Sequence, residues 1–117
     1  MRVISVLLLL LCMSCVVNAD VLVGTIVHVV DGDTVDFKYE TKTIRLRLTD
    51  IQCAEAGTND GDNVTNVMTS LLLHKTVTVV THGLEHGKWK RKRTLADIYY
   101  LNRDVNQYLL DNYCPHY

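Results

Sequence analysis

The sequence predicts a β-rich α+β domain: five strands forming a small Greek-key barrel, with one helix after the third strand and a second helix closing the chain. Three observations predict it. Residues 21–49, 76–81 and 94–100 hold short, β-branched stretches, several alternating with a period of two. The spacing changes to i, i+3, i+4, i+7, i+8 at Val64, Val67, Met68, Leu71 and Leu72. No internal repeat and no linker interrupts residues 20–117, which suits one domain.

Residues 1–19 read as a signal peptide preceding that domain. Arg2 supplies the positive end, residues 3–17 are almost wholly apolar, and Val17-Asn18-Ala19 places small residues at positions −3 and −1 of a cleavage site. The apolar run is shorter than the ~20 residues of a membrane-spanning helix. The expectation is a secreted or periplasmic protein with no stable membrane association after cleavage. An uncleaved membrane anchor is the alternative. Cys12 and Cys15 leave with the signal, and Cys53 and Cys114 remain as an even pair in an oxidising compartment. A disulfide between them is favoured, with two buried free thiols as the alternative.

The elements follow in order. Residues 21–30 (VLVGTIVHVV) are apolar on both faces, as in a strand buried in a barrel. Asp31-Gly32-Asp33 is a turn, and Thr34–Tyr39 a second strand. In Thr43–Thr49, Ile44, Leu46 and Leu48 share one face, and Arg45 and Arg47 the other. Residues 57–63 read as a polar loop ending in helix-capping residues, before the helix that carries Val64 to Leu72. Thr76–Thr81 is a fourth strand, residues 82–93 a loop and Thr94–Tyr100 a fifth strand. Val105, Tyr108, Leu109 and Tyr113 mark the closing helix, with Asp104 near its positive end and Cys114-Pro115 after it. The order βββ-α-ββ-α is that of the OB-fold, which commonly binds oligonucleotides.

Composition narrows the function. Gly 6 and Pro 1 exclude collagen-like and low-complexity chains. Lys and Arg number 12 against 13 Asp and Glu, so any nucleic-acid surface must be local. Lys88-Trp89-Lys90-Arg91-Lys92-Arg93 is such a feature: five cations in six residues, with an indole on which a base can stack. A merely solvated loop is the bland alternative. His82 and His86 beside Gly83 and Gly87 read as loop histidines and not as a zinc site. Asn63-Val64-Thr65 is a glycosylation sequon.

Two further motifs carry chemistry. The carboxylates of the Asp31-Gly32-Asp33-Thr34 turn suit a hard cation such as calcium. Arg47 and Glu55 flank a strand end, where a carboxylate beside arginine can serve as a general base toward water. Together these pieces resemble the staphylococcal nuclease, or thermonuclease, family. That family places an Arg sixteen residues after the first Asp of its DGDT turn, and a Glu eight residues further on. Here Asp31 to Arg47 is sixteen and Arg47 to Glu55 is eight. Arg93-Thr94-Leu95-Ala96-Asp97-Ile98-Tyr99 and Val105-Asn106 are similar to the family's later strand and the V-N that follows it. The resemblance covers residues 21–113.

The resemblance implies catalytic roles for Arg47, Arg93 and the general base Glu55, with Ca2+ as cofactor. Asp33 matches a direct calcium ligand, Asp31 an outer-sphere acid, and Cys53 a residue whose backbone carbonyl binds the metal. Gln52 stands where the family has a second calcium-binding aspartate, which predicts weaker binding. Ala54 replaces a proline, and the sequence reaches Tyr117 before the family's third helix, so part of the cleft wall is expected to be missing. A competing register places Arg45 and Asp50 at the family's Arg-to-Asp spacing and puts Cys53 at the base position; the ungapped register is preferred. The expected activity is a secreted, calcium-dependent nuclease that cleaves DNA and RNA to 3′-phosphate ends. It would act as a monomer, prefer single strands and bind them through Lys88, Trp89, Lys90, Arg91 and Lys92. The alternative is a non-catalytic OB-fold module that binds nucleic acid.

Overall fold

The computed structural model describes residues 19–84 and 93–115. Among these the elements run β1 (Val21–Asp31), β2 (Thr34–Tyr39), β3 (Lys42–Leu48), α1 (Asn59–Leu72), β4 (Thr76–Leu84), β5 (Thr94–Tyr100), β6 (Arg103–Asp104) and α2 (Val105–Asn112). The strands form one sheet in the order β3-β2-β1-β4-β5-β6. A parallel pairing of β3 with β5, Leu46 opposite Thr94 through Leu48 opposite Ala96, closes the first five strands into a barrel. The β-rich, OB-fold-like α+β architecture expected from the sequence is the one observed.

β1 makes this closure possible. Its first half, Val21–Thr25, pairs with β4, and its second half, Thr25–Asp31, pairs with β2. Register shifts between Ile26 and His28 and between Val29 and Asp31 let the strand bend between its two partners. The core holds Ile26, Phe37, Leu46, Leu48 and Ile98 from the strands, Val64, Met68 and Leu72 from α1, and Leu109 from α2. Each such side chain stabilises the fold by ~1.5–3 kcal/mol through burial. Among the described residues no helix is long and apolar enough to cross a membrane.

Three boundaries differ from the sequence reading. α1 begins at Asn59, inside the expected loop, because Thr58 caps it by accepting a hydrogen bond from the Gly61 N–H. Its first turn is polar because the apolar stripe starts only where the helix meets the core. β4 continues to Leu84, so His82 lies on a strand and not in a loop. β5 also turns back through Leu101 and Asn102, both at positive φ, into the two-residue β6.

Candidate active site

The β1–β2 turn builds the centre of the site. Gly32 is required there by close approach: a Cβ would lie 2.7 Å from Val64 Cγ1 and 2.9 Å from Cys53 Cβ. The next residue, Asp33, is only 7% exposed, yet both of its oxygens are engaged. Oδ1 accepts from the Thr34 hydroxyl (3.1 Å), and Oδ2 accepts from the Cys53 N–H (2.8 Å) and faces Arg47 Nη2 at 3.5 Å. The Asp33 N–H donates to Asp31 Oδ1 (3.2 Å), which ties the two acids into one turn.

Strand pairing selects which arginine reaches Asp33. Arg45 and Arg47 share a face of β3, but Arg47 lies opposite Thr34 and Arg45 opposite Asp36. Arg47 donates to the Leu48 carbonyl (2.7 Å), which holds its guanidinium beside Asp33. Arg45 instead grips Asp36 through two bonds of 2.8 and 3.0 Å, with His28 at 3.4 Å on the same carboxylate. The hydrogen bond from Arg45 holds the Asp36 carboxyl below the ordinary carboxylate range. Arg93, which immediately precedes β5, donates to the Thr34 hydroxyl (3.3 Å). The barrel closure between β3 and β5 thus brings Arg47 and Arg93 to the same turn.

The segment from Thr49 to Thr58 carries the remaining candidates. It leaves the sheet at Asp50, whose φ of 60° is the left-handed region that Asp tolerates. Ile51 is buried as an anchor. Cys53 is the junction, since its N–H meets Asp33 and its sulfur is bonded to Cys114 at the end of α2. The Glu55 carbonyl accepts from the Thr58 hydroxyl (2.8 Å) and packs against Gly61, where a Cβ would overlap it. The Glu55 carboxylate is exposed and makes no hydrogen bond or ion pair among the described residues. Gln52 is exposed too, on the rim of a cavity of about 650 Å³ floored by the disulfide. That cavity lies beside the loop and not over Asp33 or the arginines.

The electrostatics favour a cation. Burial, then the hydrogen bond and like charge of Asp33, push the Asp31 carboxyl up to about 6. Asp31 resists ionising beside Asp33, and a turn that offers oxygen donors only fits a hard divalent ion. The fit is a weak one, since no group of three His, Cys, Asp or Glu converges among the described residues.

No protein-family model matches the chain. It is similar to an uncharacterized endonuclease of Escherichia coli O157:H7, 33% identical over 88 residues, which are 74% of this chain and 55% of that protein. It is also similar to a micrococcal nuclease of Shigella flexneri, 32% identical over 76 residues, 65% of this chain and 41% of that protein. The chain is related to the thermonuclease family. It spans about half the length of the curated relatives it matches.

Of the residues singled out in the sequence on the thermonuclease pattern, the structure brings Asp31, Asp33, Arg47, Cys53 and Arg93 to one turn. Gln52 and Glu55 stand on the adjoining loop. Lys88, Trp89, Lys90, Arg91 and Lys92 lie outside the described residues, as do His86 and residues 1–18. His82 pairs with Asp97 at 2.8 Å. Asn63 of the sequon is exposed on α1. The sequence reading gave no contacts to Thr34, which receives Arg93, or to Gly61, which abuts Glu55.

Proposed function

We propose that the chain is an exported, calcium-dependent nuclease that hydrolyses phosphodiester bonds of DNA and RNA and leaves 3′-phosphate ends. One observation carries the reading: Arg47 of β3 and Arg93, just before β5, meet at Asp33 and Thr34, at 3.5 and 3.3 Å respectively. Two fixed guanidinium groups beside one turn suit the negative charge that builds on phosphoryl oxygens in the transition state. Such groups contribute without reorganising when the reaction occurs.

Glu55, with its carboxylate uncommitted, takes the proton from the attacking water. The water oxygen bonds to phosphorus as the P–O5′ bond breaks and the departing 5′ oxygen takes a proton from solvent, so the phosphate remains on the 3′ oxygen. Asp33, the Gln52 amide oxygen and the Cys53 carbonyl would hold calcium, which when bound adds positive charge beside the phosphate. The nuclease relatives support the substrate class. Contacts of this kind read phosphates and not base edges, which fits broad substrate choice. The Lys88–Lys92 run with Trp89 would bind the strand, single strands preferentially, in a monomeric enzyme. The apolar N-terminus and the cleavage pattern at Ala19 support export.

A second reading, a binding module without catalysis, is favoured by the acid count: Gln52 stands where the thermonuclease pattern has an aspartate, and among the described residues Asp31 and Asp33 alone bring carboxylates to the turn. Incubation of the purified protein with end-labelled single-stranded DNA, with calcium or with chelator, separates the two. Cleavage that requires calcium is expected. Binding without cleavage at every calcium level would overturn the nuclease reading.

A further inference from the structure

We propose that Asn106 is the positioning residue of the loop that carries Glu55, and that Asp97 and His82 hold Asn106 in its working orientation. Only the kinetic half of this proposal rests on the nuclease reading.

Asn106 is the second residue of α2 and is buried. Its Oδ1 accepts from the Ile98 N–H at 3.1 Å. Its Nδ2 lies 3.1 Å from each of three acceptors: the Thr49 carbonyl, the Ala96 carbonyl and Asp97 Oδ1. The environment therefore dictates the amide's orientation. Turned over, it would set its oxygen against three acceptors and its N–H groups against the Ile98 N–H. Two N–H groups serve three acceptors, so one is shared, and the charged Asp97 carboxylate polarises the amide and strengthens its other N–H bonds. The other oxygen of Asp97 is 2.8 Å from His82 Nε2. A chain of polar contacts thus runs from β4, through β5 and α2, to Thr49.

Thr49 is where the chain leaves the barrel. Its N–H donates to the Ala96 carbonyl (2.9 Å), and its own carbonyl is taken by Asn106. The next residue, Asp50, has a φ of 60°. Thr49 is therefore held through both of its backbone polar groups just before a sharp change of direction. Its orientation sets the course of the following residues, in which Cys53 reaches Asp33 and Glu55 faces solvent. The bonds to Ile98 and Ala96 join α2 to β5 and would be kept by any merely structural asparagine. The bond to Thr49 acts on the loop, and the Asp97 carboxylate keeps the Nδ2 group aimed toward it.

Removing Asn106 itself deletes four contacts and risks the fold, so the test uses its neighbours in the full chain. Asp97→Ala, Asp97→Asn and His82→Ala are compared with wild type in two ways. The first is amide hydrogen exchange at Thr49 and Cys53 against core amides of β2. The second is kcat and KM on single-stranded DNA with calcium. For Asp97→Ala we expect about tenfold faster exchange at Thr49 and Cys53, the lower end of the effect of one hydrogen bond to a charged group. Core amides should be unchanged, and kcat should fall by a similar factor at constant KM. Asp97→Asn keeps an acceptor for Asn106 and should restore both readouts. His82→Ala should shift them in the same direction by a smaller factor. Unchanged loop exchange in Asp97→Ala, uniform acceleration across the barrel, or equal effects of Ala and Asn would each overturn the proposal. If the wild type cleaves nothing, the nuclease reading falls and the exchange measurement alone decides this one.

Discussion

Loss of the Cys53–Cys114 bond should act on stability and on the site together. The bond joins residues 61 apart in sequence. In the chain-entropy account, closing a loop of that length removes enough freedom from the unfolded chain to stabilise the fold by ~4 kcal/mol. A domain of this size has a total stability of roughly 5–15 kcal/mol, so a large share of the margin depends on one bond. At ~4–8 °C per kcal/mol for a domain of 60–100 residues, Tm should fall by about 15–30 °C. Both cysteines are nearly buried, so reduction exposes little new surface, and the change should reflect the cross-link itself. The local consequence follows from the Cys53 N–H, which meets the Asp33 carboxylate at 2.8 Å. With its sulfur released, that contact should loosen, and activity should decline before the protein unfolds. The assay is thermal unfolding and DNA cleavage of wild type, with and without a dithiol, beside a Cys53→Ala/Cys114→Ala variant. A Tm change below ~3 °C, or two free thiols in protein exported by its own host, would refute the reasoning.

Asp36→Asn should cost about 1 kcal/mol at pH 7, or ~5 °C in Tm, and progressively less as pH falls below the ordinary carboxylate range, measured by thermal melts across pH. The sign follows because Arg45 lowers the Asp36 value in the fold: its contribution is complete above about pH 4 and is lost as pH falls through the folded value. Gln52→Asp should lower the calcium concentration for half-maximal cleavage, since it adds a negative charge to the loop next to Cys53, whose N–H meets Asp33; a calcium titration checks it. Replacing Lys88, Lys90, Arg91 and Lys92 by Ala should weaken DNA binding and flatten its salt dependence, by about 0.7 in log–log slope per lost phosphate contact on single strands.

The strands were legible because their periodicity is a direct consequence of one face being buried. Ile44, Leu46 and Leu48 alternate with Arg45 and Arg47, and β3 runs where that pattern lies. The start of α1 was not legible for the same physical reason. Thr58-Asn59-Asp60-Gly61 places no apolar side chain in the core, so it has the composition of a loop although it forms a capped helical turn. Alternation also could not separate Arg45 from Arg47, which share a face. Pairing with Thr34 or Asp36, a tertiary fact, distinguishes them. Asn106 shows the limit most clearly. It bonds a carbonyl 57 residues away, and a side chain satisfying backbone groups leaves no periodic trace.

The most direct test of the site is single-turnover cleavage of labelled single-stranded DNA by Glu55→Gln beside Asp50→Asn, with circular dichroism to verify that both fold. Glu55 is assigned as the base, and Asp50 is a solvent-exposed residue at the bend. The account predicts a loss of at least ~10²-fold for Glu55→Gln, in the range typical of general acid–base catalysis, and near-full activity for Asp50→Asn. Near-full activity of Glu55→Gln together with an inactive Asp50→Asn would contradict it, and would move the site to the register of Arg45.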